Sequence, residues 1–459
     1  MPAVLVVVVL VFVGCGSSDG DRRGLTTSTR VATHDLPSAP AVREGPTTRR
    51  VAEHARAAVR SLVAGDVDGD ALDGLVASRD ARQAWLLSDL LRFAQLPQDE
   101  QTLVEAFTRL TGRDPRTDPE FSKSAWRSVT NLLIAWDLPA APGYVATKAE
   151  LFTAVEPGWR PFFADRDADI DWRLLSWGGV LIDDRAVGDG EPCLRGCIPA
   201  LDDPALTAAR DGGWYPEEAI VFGVVVGGEA VALPRNVMEI HEMVNLTLAG
   251  RRVGIPYCTL CGSAQAYFTD ALPGDRAPVV LRTSGLLSRS NKVMFDLRSR
   301  SVLDTFTGRA LSGPLHEAGV TLEQTTVVAS TWSAWKRAHP DTRIVARDGG
   351  IGRDYPSDPL EGRDDDGPIF PIGRVDPRLP VQTSVVGVIA PGGTPVAFAS
   401  DQARAALADG ERVELRGVQL VADGSGLRAR AQDGRPLVAH EAFWFAWSQF
   451  HPGTAVWIP

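Results

Sequence analysis

Two cysteines separated by two residues, Cys258 and Cys261, stand in the segment Tyr257-Cys258-Thr259-Leu260-Cys261. That spacing lets both sulfurs face one centre from a tight turn, which suits either a bound metal or a reversible disulfide. The following residues, Cys261-Gly262-Ser263-Ala264, are expected to open a helix, whose N-terminal partial charge would lower a thiol pKa. Upstream, His241 lies in Met238-Glu239-Ile240-His241-Glu242-Met243-Val244-Asn245, which reads as helical with His241, Glu242 and Asn245 on one side. An imidazole with two thiolates and a soft fourth ligand suits copper or zinc. Met294 supplies a thioether for that fourth place. The expected ligand set is therefore Cys258, Cys261, His241 and Met294, with copper before zinc.

The same residues carry other readings. Cys258 could act as the nucleophile of a thiol–disulfide oxidoreductase with Cys261 resolving, although no thioredoxin-like strand–helix order surrounds the pair. The cysteines could instead brace a non-catalytic binding protein of the cell envelope. His241 can be a hydrogen-bonded core residue, and Met294 can be ordinary core packing. Cys193 and Cys197 flank Leu194-Arg195-Gly196 and are expected to close that loop as a disulfide, or else to join the same metal site. Ser284 and Ser288 are small polar residues that could shape the wall of the site. No phosphate loop, dinucleotide glycine motif or nucleophile elbow is present. The formal net charge of -11 argues against nucleic acid as a partner.

These residues need elements to hold them. Residues 50 to about 165 read as helical, including Val51–Val59, Ala81–Leu91 and Ser124–Trp136, with apolar residues at three- and four-residue steps. Asp66-Val67-Asp68-Gly69-Asp70 starts like a calcium loop, but Ala71 and Ala77 occupy the required glycine and glutamate places, so a helix-capping loop is expected. From about residue 170 the texture turns to short β-type runs, among them Ala219–Val226, Arg252–Tyr257, Pro278–Leu281 and Val385–Ile389. Gly227-Gly228 and Gly392-Gly393 mark hairpin reversals. The expected fold class is α+β, a helical N-terminal domain over 49–168 followed by a mainly β domain over 169–459.

Two echoes point to internal duplication of the β part, about 170–345 and 370–459. Phe222–Leu233 resembles Val386–Phe398, and Ala334–Thr342 resembles Ala446–Thr454. Both Trp-x-x-x-His-Pro units end a helix before proline, so His339 and His451 are expected to be structural. The second copy has no cysteine.

The N-terminus supplies the compartment. Pro2–Val13 is apolar and too short to span a bilayer, which takes roughly 20 residues. It precedes Gly14-Cys15-Gly16-Ser17, the pattern of a lipoprotein signal with Cys15 as the lipidated residue. Residues 1–15 are expected to be that signal, and 16–48, rich in Ser, Thr, Gly, Pro and Arg, a disordered tether. The expectation is an extracytoplasmic protein of the cell envelope, held to a membrane by lipid, with its small-molecule or protein partner open.

Several ordered motifs together resemble the bacterial and archaeal family called domain of unknown function 3179. They are Trp177-Gly178-Gly179-Val180, Ile198-Pro199-Ala200-Leu201-Asp202, His241-Glu242-Met243-Val244-Asn245, Gly254–Ala264, Ser284-Gly285-Leu286-Leu287, Met294-Phe295-Asp296 and the closing His-Pro units. The resemblance covers roughly 170–459. A proline is more usual where Thr259 stands and a tryptophan where Leu303 stands; neither replaces a candidate ligand. The Cys193/Cys197 pair is a local addition to the pattern. The resemblance implies an architecture and leaves the reaction open.

Overall fold

The structure is a computed structural model that describes residues 37–274, 276–363 and 367–459. Cys15, the apolar run before it, the first part of the expected tether and Asp364–Asp366 lie outside the described residues. Residues 37–48 form no helix or strand, yet hydrogen bonds tie them to the helices that follow. Trp136 Nε1 donates to the Pro37 carbonyl at 2.7 Å, and Arg82 Nη2 donates to that of Gly45 at 3.0 Å. Among the described residues no helix is long and apolar enough to cross a membrane.

The helical region runs Arg49–Ala64, Gly69–Ala77, Ala84–Phe93, Pro97–Thr111, Ala125–Ala135, Tyr144–Val155 and Arg160–Ala164. Side-chain caps set several starts: Thr48 accepts from Val51 N, Asp68 from Ala71 N and Ser124 from Arg127 N. Asp68 thus acts as a helix cap, the role its failed calcium pattern left to it. Left-handed Gly65 and Gly112 end two of the helices. Their apolar stripes close on Leu75, Trp85, Leu87, Leu103, Phe107, Val129 and Phe152.

The rest is mainly β, arranged as five sheets, so the whole is a mixed α+β architecture. Two of the sheets carry the duplication. In the first half, Val327–Thr331, Ile220–Val226, Glu229–Pro234 and Arg343–Val345 lie side by side, antiparallel, antiparallel and then parallel. In the second half, Ala439–Phe443, Ser384–Ile389, Pro395–Ala399 and Ala455–Trp457 repeat that order and those directions. A helix follows the second strand in each half, Arg235–His241 and Ser400–Ala408. Another, Trp332–Ala338 or Trp444–Phe450, precedes the parallel strand. Gly227 and Gly228 both hold positive φ at the first hairpin, as a tight primed turn requires.

The halves differ in what they insert after the shared hairpin and helix. The second inserts one small meander, Glu414–Leu437. The first inserts most of two sheets, each of which also takes one strand from before the hairpin, Leu201–Asp202 and Leu175–Trp177. One is built on Met243–Leu248, Arg251–Cys258 and Ala266–Phe268, with Leu201–Asp202 and Glu323–Thr325 at its edges. The other contains Leu175–Trp177, Leu281–Ser288, Asn291–Asp296 and Val302–Asp304. Its strand begins at Leu281, later than the Pro278 start read from the sequence. These inserted sheets position the cysteine turn.

Candidate functional site

The long strand Arg251–Cys258 delivers Cys258 to the rim of its sheet, and a single 3₁₀ turn, Thr259–Cys261, brings Cys261 back beside it. The expected helix after Cys261 does not form. Gly262 takes the left-handed conformation at φ 57° and the chain returns as the short strand Ser263–Ala264. The ring of Phe443 fills the space where a side chain at 262 would stand. With no helix at this point, a helix dipole does not act on the thiols.

Cys258 and Cys261 form a disulfide, with Cα atoms 5.3 Å apart, and both are buried. Cys261 Sγ also lies 3.0 Å from Asn291 Oδ1 and 3.4 Å from the Ser290 carbonyl oxygen, and Cys258 Sγ lies 3.9 Å from the latter. Beside the turn sits a buried ion pair. Lys292 Nζ donates to Glu242 Oε2 at 3.0 Å and to the Glu242 carbonyl at 2.8 Å, and Thr259 Oγ1 reaches Glu242 Oε1 at 3.2 Å. Burial pushes the Lys292 ammonium below its ordinary pKa, and Glu242 pulls it part of the way back. The sequence alone gave Glu242 and Lys292 no part in this; a lysine inside an apolar strand, Lys292-Val293-Met294-Phe295, was the available signal.

The four residues expected to share a metal do not come together. The helix carrying His241 ends there, because Glu242 adopts φ 50°, and Met243–Leu248 is a strand. His241 is committed to other partners. Its Nδ1 bonds the Pro199 carbonyl at 2.7 Å and its Nε2 bonds the Tyr355 hydroxyl at 2.7 Å, so both ring nitrogens are engaged. Burial lowers its pKa to about 4, keeping the ring neutral. Met294 packs among Met243, Tyr267, Leu281 and Leu303, whereas the cysteines pack with Phe306, Trp444 and Trp447. Among the described residues no group of three or more His, Cys, Asp or Glu side chains is placed to hold a metal. The ligand set therefore does not fit a metal in this geometry.

The other motif residues serve the frame. Asp202 receives Arg282 Nη2 at 2.6 Å and Asn245 Nδ2 at 2.9 Å. Burial opposes its ionisation, but Arg282 outweighs this and holds its carboxyl below the usual range. Ser284 donates its hydroxyl to the Val293 carbonyl. Cys193 and Cys197 form a disulfide across their loop, with Cα atoms 5.5 Å apart. In the second half, the His440 ring lies 5.4 Å from that of Phe306, which belongs to the same apolar cluster as the two cysteines. Nothing in the sequence marks His440, which carries no motif around it.

A duplicated sheet pair, with a dicysteine turn held in the sheets inserted into one copy, defines the class of this protein. The chain belongs to the family described as protein of unknown function, DUF3179, whose profile matches residues 195–424. The matched span holds the cysteine turn, Glu242 and Lys292, and ends before His440. No curated protein and no solved structure matches the chain.

Proposed function

We propose that this protein is a thiol–disulfide redox protein of the cell envelope, with Cys258 and Cys261 as the reversible pair and Cys15 as its lipid attachment. One observation carries the redox reading. The two sulfurs are joined, and the same Cys261 sulfur has Asn291 Oδ1 and the Ser290 carbonyl within reach. Both oxidation states thus have partners: the oxidised pair bonds to itself, and the reduced thiols have acceptors for their S–H groups. A pair that only braces the fold needs no such acceptors.

Burial of the Lys292–Glu242 ion pair beside the turn supports the same reading, since it fixes local charge without requiring a charged sulfur. An exported location would favour the oxidised form at rest.

The test is thiol trapping of the folded chain. After a mild reductant, the Cys258–Cys261 peptide should gain two alkyl groups while the far-UV and near-UV circular dichroism stay native. Removing the reductant and adding oxidant should return the disulfide. A pair that opens only when the chain unfolds would refute the reading. A Cys258→Ala/Cys261→Ala double variant serves as the labelling control.

A further inference from the structure

The ladder register decides what faces the cysteines. Cys258 stands opposite Ser263 and Tyr257 opposite Ala264, and Gln265 N continues the ladder to the Pro256 carbonyl at 3.1 Å. Side chains alternate across a strand, so Cys258, Ser263 and Gln265 share one face. Tyr257 and Ala264 turn to the other, where Tyr257 packs on Phe222 with ring centroids 4.8 Å apart. The cysteine face looks onto the neighbouring inserted sheet. Asn291 and Ser290 reach Cys261 from there, and the Tyr267 hydroxyl crosses to the Thr305 carbonyl at 2.7 Å.

This junction holds an unusual set of polar atoms. Ser263 Oγ, Gln265 Oε1 and Nε2, Ser290 Oγ, Asn291 Nδ2 and Thr305 Oγ1 are buried and bond to none of the described residues. None of the five side chains is more than 2% exposed. Leaving one buried polar group unmatched costs on the order of 1–3 kcal/mol, and native interiors match nearly all of theirs. Ser263 stands opposite Cys258, Ser290 and Asn291 reach Cys261, and Gln265 follows on the Cys258 face, so these unmatched groups make a wall suited to something polar. They offer donors and acceptors together. The charge at this wall is already cancelled, because the Lys292 ammonium is taken by Glu242.

We propose that this junction admits a small, uncharged hydrogen-bonding oxidant of the hydroperoxide class to Cys258 and Cys261, and shuts out charged or bulky disulfides. The inference rests on the redox reading above. In the oxidation, the Cys258 sulfur attacks one oxygen of hydrogen peroxide and the O–O bond breaks. The other oxygen leaves as hydroxide and takes the Cys258 thiol proton to become water. Cys258 is left as a sulfenic acid. The Cys261 sulfur then attacks it, the S–O bond breaks and the S–S bond forms. The departing hydroxide takes the Cys261 proton as a second water. The sum is dithiol plus hydrogen peroxide giving disulfide plus two waters, with sulfur oxidised and peroxide oxygen reduced. Gln265, with a donor and an acceptor on the same face as Cys258, positions the peroxide.

The experiment uses the reduced full chain and follows the Cys258–Cys261 peptide by mass-tagging of free thiols over time. One arm receives hydrogen peroxide and the other the same concentration of oxidised glutathione; the urea-unfolded chain gives the rate ratio for unhindered thiols. Folding should raise the peroxide-to-glutathione ratio by about ten-fold or more. Gln265→Leu, close in volume but unable to hydrogen-bond, should slow the peroxide reaction about three- to ten-fold while leaving the glutathione rate unchanged. If Gln265→Leu does not fold, Ser263→Ala takes its place with the same readout. A peroxide-to-glutathione ratio no higher in the folded chain than in urea, or a variant as fast as the parent with peroxide, would overturn the selectivity proposal and leave the redox reading standing. A folded pair that neither reagent oxidises would instead defeat the redox reading.

Discussion

The six-membered ring of Trp447 lies directly over the α-carbon of Gly387, and a methyl group placed there would overlap it. The first half repeats the relationship with Trp335 over Gly223. In both, the indole nitrogen donates to a threonine seven residues on, Thr454 at 3.1 Å and Thr342 at 3.0 Å. In both, a histidine ring follows the tryptophan, with centroids 4.1 Å and 4.0 Å apart for His451 and His339. The Trp-x-x-x-His-Pro echo is therefore a packing device, a helix nailed to a strand through a glycine.

Gly387→Ala should accordingly destabilise the protein. Neither glycine needs a left-handed backbone, so the cost is steric, and overpacking of this kind is typically about 1–3 kcal/mol. Urea unfolding should show the midpoint fall for Gly387→Ala and for Gly223→Ala alike. An unchanged midpoint for either would mean that the two copies do not share this contact.

Removing one partner of the Lys292–Glu242 pair should cost more than removing both. Lys292 is 3% and Glu242 13% exposed in the side chain, and a buried charge stripped of its partner typically costs about 3–5 kcal/mol. Lys292→Met and Glu242→Gln should each lower stability strongly, and the double variant should recover much of the loss. The double-mutant coupling energy measures this, and additive losses would speak against a buried pair.

Arg92 joins the helical and β regions, with no carboxylate paired to it among the described residues. Its guanidinium carbon stands 4.5 Å from the Trp126 ring centroid and 4.9 Å from that of Trp177, and its Nε donates to the Trp177 carbonyl at 2.7 Å. Burial lowers its pKa to about 10, so it stays charged at neutral pH. Lysine cannot reproduce the flat stacking or the directed N–H. Arg92→Lys should lose about 1–2 kcal/mol in thermal or urea unfolding, of the size expected for a desolvated cation–π contact and one hydrogen bond. Equal stability would show that charge alone matters there.

Stability should fall as pH drops below neutrality. Burial depresses the pKa of His440 to about 3 and that of His451 to about 4, and His241 is at about 4. The unfolded chain takes up these protons below about 6.5 while the folded chain does not. Their contribution is therefore complete above that pH and is lost progressively as pH falls toward 4. Each histidine adds a slope on the order of 1.4 kcal/mol per pH unit inside that window. Urea titrations at pH 7, 6 and 5 should show the decline, and His440→Asn should make it shallower. A slope unaltered by that change would mean His440 titrates normally in the folded state.

Periodicity and turn chemistry made much of this protein readable from its residues. The helices about Val51–Val59, Ala81–Leu91 and Ser124–Trp136, the hairpin at Gly227-Gly228 and the two related halves are all local patterns. Spacing within an element, or repetition between elements, writes them into the chain directly. The family motifs belong with them, since they are ordered short segments. The dicysteine turn was legible for the same reason, two sulfurs three positions apart.

What lay beyond the sequence was everything that depends on a backbone reversal or on a partner far along the chain. The stretch through His241 reads as one helix, but Glu242 enters the left-handed region and the chain leaves as a strand. That single dihedral sends the imidazole to Pro199 and Tyr355, residues 42 and 114 positions away. It also gives Glu242, rather than His241, to the cysteine turn. Asn291, Ser290 and Gln265 have no motif to announce them. Asn291 and Ser290 meet the sulfurs, and Gln265 shares the face of Cys258, only because a ladder register and the packing of one inserted sheet on another put them there. Side-chain direction and long-range pairing are settled by the energy of the whole fold, so tertiary structure alone could decide them.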